Sequence, residues 1–193
     1  MEANHLFEVI NPRRLERLRA LEGEAAVILG RHIVPGVWFT ADTVRGRLEG
    51  VFSSHRDALL RFRFDVSKPG RWLSLNFAVS RDPMSADQII GVVLAVETAT
   101  PVRFHLRLRT GQSDAKFIDT YFDEAHVAQP GRSTHVSLLH GRCAAPLLQP
   151  CAWRTLNVMF EPGSFDMSLL DLHVFVTSVS ATNLVSDSLN HAI

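Results

Sequence analysis

The densest run of chemically capable side chains in this 193-residue sequence is Pro101–Arg109, PVRFHLRLR. Arg103, His105, Arg107 and Arg109 occupy every second position, and Val102, Phe104, Leu106 and Leu108 fill the alternate ones. Guanidinium forks bind carboxylates, phosphates and sugar hydroxyls in a fixed planar geometry, and they stack on rings. A period of two is that of a half-buried strand. On such a strand the basic groups form a row about 6.5–7 Å apart on one face.

Alternation predicts which polar groups other strands present. In Leu59–Val66, Leu60, Phe62, Phe64 and Val66 form the apolar side, leaving Arg61, Arg63 and Asp65. In Trp72–Val79, Leu73, Leu75, Phe77 and Val79 turn inward, leaving Trp72, Ser74 and Asn76. In the stretch 153–160, Trp153, Thr155, Asn157 and Met159 share one parity, opposite to Arg154, Leu156, Val158 and Phe160. If these strands share a sheet, its outer side carries Arg61, Arg63, Trp72, Asn76, Arg103, His105, Arg107, Trp153 and Asn157. Planar hydrogen-bonding groups beside aromatic platforms suit a sugar or acidic saccharide. The competing reading is a solvated or subunit-facing sheet, with arginines paired to Asp65, Asp119 or Glu97, and with Trp72 and Trp153 as corner residues beside turns.

Catalytic signals are weak. The sequence has no G-x-S-x-G elbow, no phosphate-cradling glycine loop and no H-E-x-x-H helix. The nine histidines are scattered. The closest pair, His135 and His140, stands near Cys143 and Cys151 without the spacing of a zinc finger. Asp114, Asp119, Asp123 and Glu124 read as a solvated strand end rather than an acid–base pair. The expectation is a non-catalytic protein with no metal and no cofactor.

The elements that must position these residues are mostly strands. Apolar or alternating runs fall at Ala25–Leu29, Val37–Thr40, Leu59–Val66, Trp72–Val79 and Ile89–Glu97. They continue at Val102–Arg109, Phe117–Phe122, Thr134–Leu139, Thr155–Phe160 and Leu169–Val176. Turn-forming stretches such as Ser67-Lys68-Pro69-Gly70 and Glu161-Pro162-Gly163-Ser164 separate many of them. Short strands at this spacing predict an all-β, antiparallel sandwich. Asn11-Pro12 reads as a helix start, and Leu15, Leu18 and Leu21 give a narrow apolar stripe ended by Gly23. That helix is expected as a lid on the domain's edge, with docking to another subunit as the sharper alternative. The division is an N-terminal helical extension over 1–24, a sandwich over 25–178 and a polar tail over 179–193.

The hydrophobic fraction of 46% suffices for a core, and 20 basic residues balance 20 acidic ones. Zero net charge argues against general nucleic-acid binding. Lys68 and Lys116 are the only lysines, so positive charge is nearly all arginine. Cys143 and Cys151 are expected as free thiols. The first ten residues lack a basic start followed by an apolar run, and no stretch reaches membrane-spanning length. Synthesis in the cytoplasm, without membrane insertion, is the expectation.

The strand order resembles the jelly-roll sandwiches of carbohydrate-binding modules and galactose-binding-like domains. The resemblance rests on Gly36–Phe39, Leu59–Val66, Gly70–Val79, Ile89–Arg109, Phe117–Phe122 and Trp153–Phe175. It implies a sheet carrying ligand on arginine, asparagine and aromatic side chains. The expected function is non-catalytic binding of a cell-surface or capsular polysaccharide. Lysis-released display on a spike or fibre of a phage-like particle, as a homo-oligomer, would reconcile such a role with cytoplasmic synthesis. The alternatives are an assembly subunit with no glycan ligand and an accessory domain of cytoplasmic polysaccharide synthesis.

Overall fold

A computed structural model of the chain describes residues 7–55, 57–112 and 116–178. The polar tail expected over 179–193 lies outside these residues. The described chain is an antiparallel sandwich of two sheets with one helix, as the alternation predicts.

The elements run β1 (Phe7–Glu8), α1 (Pro12–Arg19), β2 (Glu24–Ala26), β3 (His32–Val34), β4 (Val37–Ala41), β5 (Arg47–His55) and β6 (Ala58–Lys68). They continue with β7 (Leu73–Ala78), β8 (Gln88–Thr98), β9 (Val102–Gly111), β10 (Phe117–Ala128), β11 (Gly131–His140), β12 (Trp153–Phe160) and β13 (Phe165–Ser178). One sheet has the order β11-β8-β13-β6-β5-β2, with β1 also paired to β13. The other has the order β10-β9-β12-β7-β4-β3. Sequential strands thus alternate between sheets at many points, the wiring of a jelly roll.

Phenylalanines tie the layers together. Phe39 and Phe160 come from the second sheet, Phe62, Phe64 and Phe165 from the first. Their ring centroids lie 5.1 Å apart for Phe39–Phe64 and 5.0 Å for Phe160–Phe165. Edge-on and tilted contacts at these spacings add attraction beyond area burial.

Strand β5 has no clean apolar alternation, because Gly50 stands where its second inward residue, after Leu48, would be. A Cβ there would lie 2.4 Å from Phe64 Cε1, so the absent side chain is the space the ring occupies. Helix α1 is capped by Asn11, whose side chain accepts from the Arg13 amide. It packs against β3, β5 and β6 and buries Leu18 completely, so it closes one end of the sandwich. Arg14 reinforces the closure with hydrogen bonds to the carbonyls of Pro35 and Ala78. Beside Ala78, at the same end, Arg154 on the inward face of β12 is buried and donates to the carbonyls of Asp82 and Leu147. Cys143 and Cys151 are both free.

Candidate ligand-binding face

The second sheet gathers six side chains into one transverse row. Strand register aligns His32 with Trp38, Trp38 with Asn76, Asn76 with Asn157, Asn157 with Arg107 and Arg107 with Tyr121. These positions alternate with Phe39, Phe77, Leu156 and Leu108, all fully buried, so the row projects on the side away from the core.

Hydrogen bonds run along that row. Asn76 Nδ2 donates to the Trp38 carbonyl at 3.0 Å and to Thr40 Oγ1 at 3.0 Å. Asn157 Nδ2 donates to Asn76 Oδ1 at 2.7 Å, and Arg107 Nε donates to Asn157 Oδ1 at 3.0 Å. Arg107 also donates to Asp119 at 2.8 Å, and Arg109 grips both carboxylate oxygens of Asp119 at 2.7 and 2.9 Å. The guanidinium of Arg109 lies 3.8 Å from the Phe117 ring centroid.

The centre of the face is desolvated: Asn76 and Asn157 are each only 3% exposed although they point away from the core. Asn76 also accepts from Ser74 Oγ, so both its donors and its acceptor are engaged within the protein. The two asparagines therefore hold the face in shape and aim Arg107, which keeps further N–H donors beyond the two it uses. Burial alone would raise the Asp119 carboxyl. The hydrogen bond from Arg109 and the charges of Arg107 and Arg109 outweigh it and hold that carboxyl below its usual range. Two arginines share this one carboxylate, so the cluster keeps a positive excess. Burial, then the neighbouring Arg107 charge, lowers the His105 imidazole, with Glu161 opposing. Its ring lies 5.8 Å from that of Tyr121.

Two tryptophans mark the ends of the face. Trp153 lies across Gly111, where a Cβ would come within 1.9 Å of its ring. Trp72, immediately before β7, continues the outward parity of Ser74 and Asn76. Trp153 is four residues beyond Asn157 and Trp72 four residues beyond Asn76, in opposite directions. At ~3.3 Å per residue they stand about 26 Å apart. Both remain over a third exposed, and Trp38, stacked on His32 at 4.9 Å, lies between them.

The single shared face expected from the sequence is corrected here. Asn76, Arg103, His105, Arg107, Trp153 and Asn157 lie on the second sheet, and Trp72 continues its outward face. Arg61 and Arg63 are on β6 of the first sheet, on the opposite side of the sandwich. There Arg61 pairs with Asp166 at 3.3 Å and Arg63 with Asp65 at 3.7 Å. Alternation fixes the parity of a residue within its strand but not the sheet to which the strand belongs. The ion-pair reading holds for several arginines, since Arg103 meets Glu161 at 3.4 Å and Arg132 meets Glu97 at 3.0 Å. Trp38, Asp119 and Tyr121 were not among the expected site residues. The signal for Trp38 was present in GVWF, where Val37 and Phe39 turn inward and Trp38 and Thr40 outward. Among the described residues no group of three or more His, Cys, Asp or Glu side chains is arranged to hold a metal. No described helix is long and apolar enough to cross a membrane.

No protein-family model and no curated protein sequence matches the chain. Solved structures do match it. The xylan-binding module CBM15 is similar with a TM-score of 0.50 and 10% identity, over 82% of this chain and 98% of that one. A CBM4 structure gives 0.50 and 10%, over 80% and 95%. Fisc, a Stig cyclase from Fischerella sp. TAU solved in complex with (3Z)-3-(1-methyl-2-pyrrolidinylidene)-3H-indole, gives 0.52 and 7%, over 91% and 100%. The chain has the jelly-roll sandwich fold of carbohydrate-binding modules. At these identities the likeness is one of fold, and fold alone does not assign function.

Proposed function

We propose that this protein binds a polysaccharide, without catalysis, across the outer face of its second sheet. The observation that carries the reading is the desolvated Asn76–Asn157–Arg107–Asp119–Arg109 chain lying between Trp72 and Trp153. Preorganised planar donors between aromatic platforms are what a ribbon-like, hydroxyl-rich ligand requires. The positive excess at Arg107 and Arg109 favours a glycan carrying carboxylates. The fold of CBM15, described as xylan-binding, supports this reading, as does that of CBM4. In this reading Asn76 and Asn157 position the site, and Arg107, His105, Tyr121 and the tryptophans touch the ligand. Screening on a glycan array, followed by calorimetry with the best ligand, tests it. An Arg107→Ala variant is expected to lose affinity by about tenfold or more.

Single-site glycan affinity of about millimolar to micromolar strength gains roughly 10²–10⁴ when copies are linked. We therefore propose display in several copies, as on a spike or fibre of a particle assembled in the cytoplasm and freed by lysis. An assembly subunit is the second reading. It is favoured by Phe117, Ile118, Val136 and Leu138, each about half exposed on the edge strands β10 and β11. Light scattering distinguishes an oligomer from a monomer.

A further inference from the structure

At the edge opposite β10 and β11 the two sheets end in the short strands β2 and β3. The chain crosses between them through residues 27–31. Behind this crossover lies a cavity of about 340 Å³. Ala25, Val27, Ile33, Phe39 and Phe52 line it, and Ile28 beside it is 54% exposed. Three backbone hydrogen bonds hold the crossover open: Val27 to the Gly50 carbonyl at 2.7 Å, Gly30 to Phe39 at 2.8 Å and Arg31 to Ile28 at 3.0 Å. Gly30 takes a positive φ of 78°, which the turn requires and which glycine adopts readily.

The polar residues lining this apolar cavity are Arg31 and His32. The Arg31 guanidinium is exposed and makes no hydrogen bond or ion pair among the described residues. The Gly36 amide donates to His32 Nδ1 at 3.1 Å and the ring stacks on Trp38 at the outer face, so Arg31 is the charged side chain at the cavity. No acidic residue is among the described lining residues. An apolar pocket of this size with a cationic residue in its lining has the make-up of a small-molecule site.

We propose that this pocket binds a small monocarboxylic acid with an apolar body. The hydrocarbon fills the space between the sheets, and the carboxylate meets the Arg31 guanidinium. The site lies at the sandwich edge and is independent of the glycan reading, so either can fail without the other.

The test titrates the full chain with hexanoate, hexanol and hexylamine by calorimetry, with amide NMR shifts at Ile28 and Ile33 to locate binding. Hexanoate is expected to bind saturably, at least about tenfold tighter than hexanol, and hexylamine weakest. Arg31→Gln should remove the preference for hexanoate over hexanol, and Arg31→Glu should shift it toward hexylamine. Both changes are at an exposed side chain and leave the core intact. The proposal is overturned if hexanoate fails to saturate, if hexylamine binds as well, or if Arg31→Gln keeps the full preference.

Discussion

Asn157 joins Asn76 to Arg107: its amide donates to Asn76 Oδ1 at 2.7 Å and its own Oδ1 accepts from Arg107 Nε at 3.0 Å. The three residues come from β7, β12 and β9, so one side chain sets the spacing of three strands and the aim of the arginine. Asn157→Ala leaves Asn76 Oδ1 short of a partner in a desolvated place and frees Arg107. A loss of about 1–3 kcal/mol in urea unfolding is expected. In a double-mutant cycle, Asn157→Ala and Asn76→Ala are expected to be non-additive, because they break one network. Additive effects would show that the two amides act separately.

Leu18→Ala tests whether α1 belongs to the core. Leu18 is fully buried beside β6, so its truncation should cost about 2–5 kcal/mol. A surface helix would lose almost nothing. The same packing means that removing residues 1–23 strips part of the sandwich's closure, and a lower melting temperature is expected for that truncation.

Acid should destabilise the protein in a window set by histidine. His126 and His135 lie 5.2 Å apart at the edge between β10 and β11, facing Phe104. His126 Nε2 meets Ser137 Oγ at 2.7 Å, and His135 Nε2 meets Ser133 Oγ at 2.9 Å. Burial lowers both imidazoles, with Glu124 opposing at His126 and the charge of His126 adding to the effect at His135. His105 is lowered too. The unfolded chain therefore takes up protons first. Stability should be level above about pH 7 and fall as pH drops through about 6.5, where unfolded histidine titrates. The lowered Asp119 carboxyl adds a separate loss below about pH 4. Thermal unfolding against pH reads both steps, and His126→Gln with His135→Gln should flatten the first.

Gly50→Ala places a methyl group where the fully buried Phe64 ring lies. Destabilisation of about 1–3 kcal/mol is expected from overpacking. Gly111→Ala meets the exposed Trp153 instead, whose ring can move. It should cost less and register chiefly as a change in tryptophan fluorescence.

Much of the fold was legible because inward residues recur at every second position, as in β6, β7 and β9. β5 was not, since Gly50 breaks its apolar side and Phe64 on β6 supplies the missing bulk. The site was legible only in part. Arg107, Asn76 and Asn157 could be placed on outward faces from alternation alone. Their contact depends on register between β7, β12 and β9, which sequence periodicity leaves open. For the same reason Arg61 and Arg63, with the same parity pattern, were expected beside Arg107 and stand on the other sheet. His32 was missed because β3 is three residues long and shows no period, whereas Trp38 stands on β4, where the alternation in GVWF did carry its outward signal.

The most direct test of the glycan-binding face compares the affinities of the wild type, Arg107→Ala and Arg61→Ala for one glycan chosen from an array. All three should keep the same fold by circular dichroism. The account predicts that Arg107→Ala weakens binding by about tenfold or more while Arg61→Ala, on the opposite sheet, leaves it unchanged. Loss of binding in Arg61→Ala with full affinity in Arg107→Ala would place the site on the other side of the sandwich and contradict it.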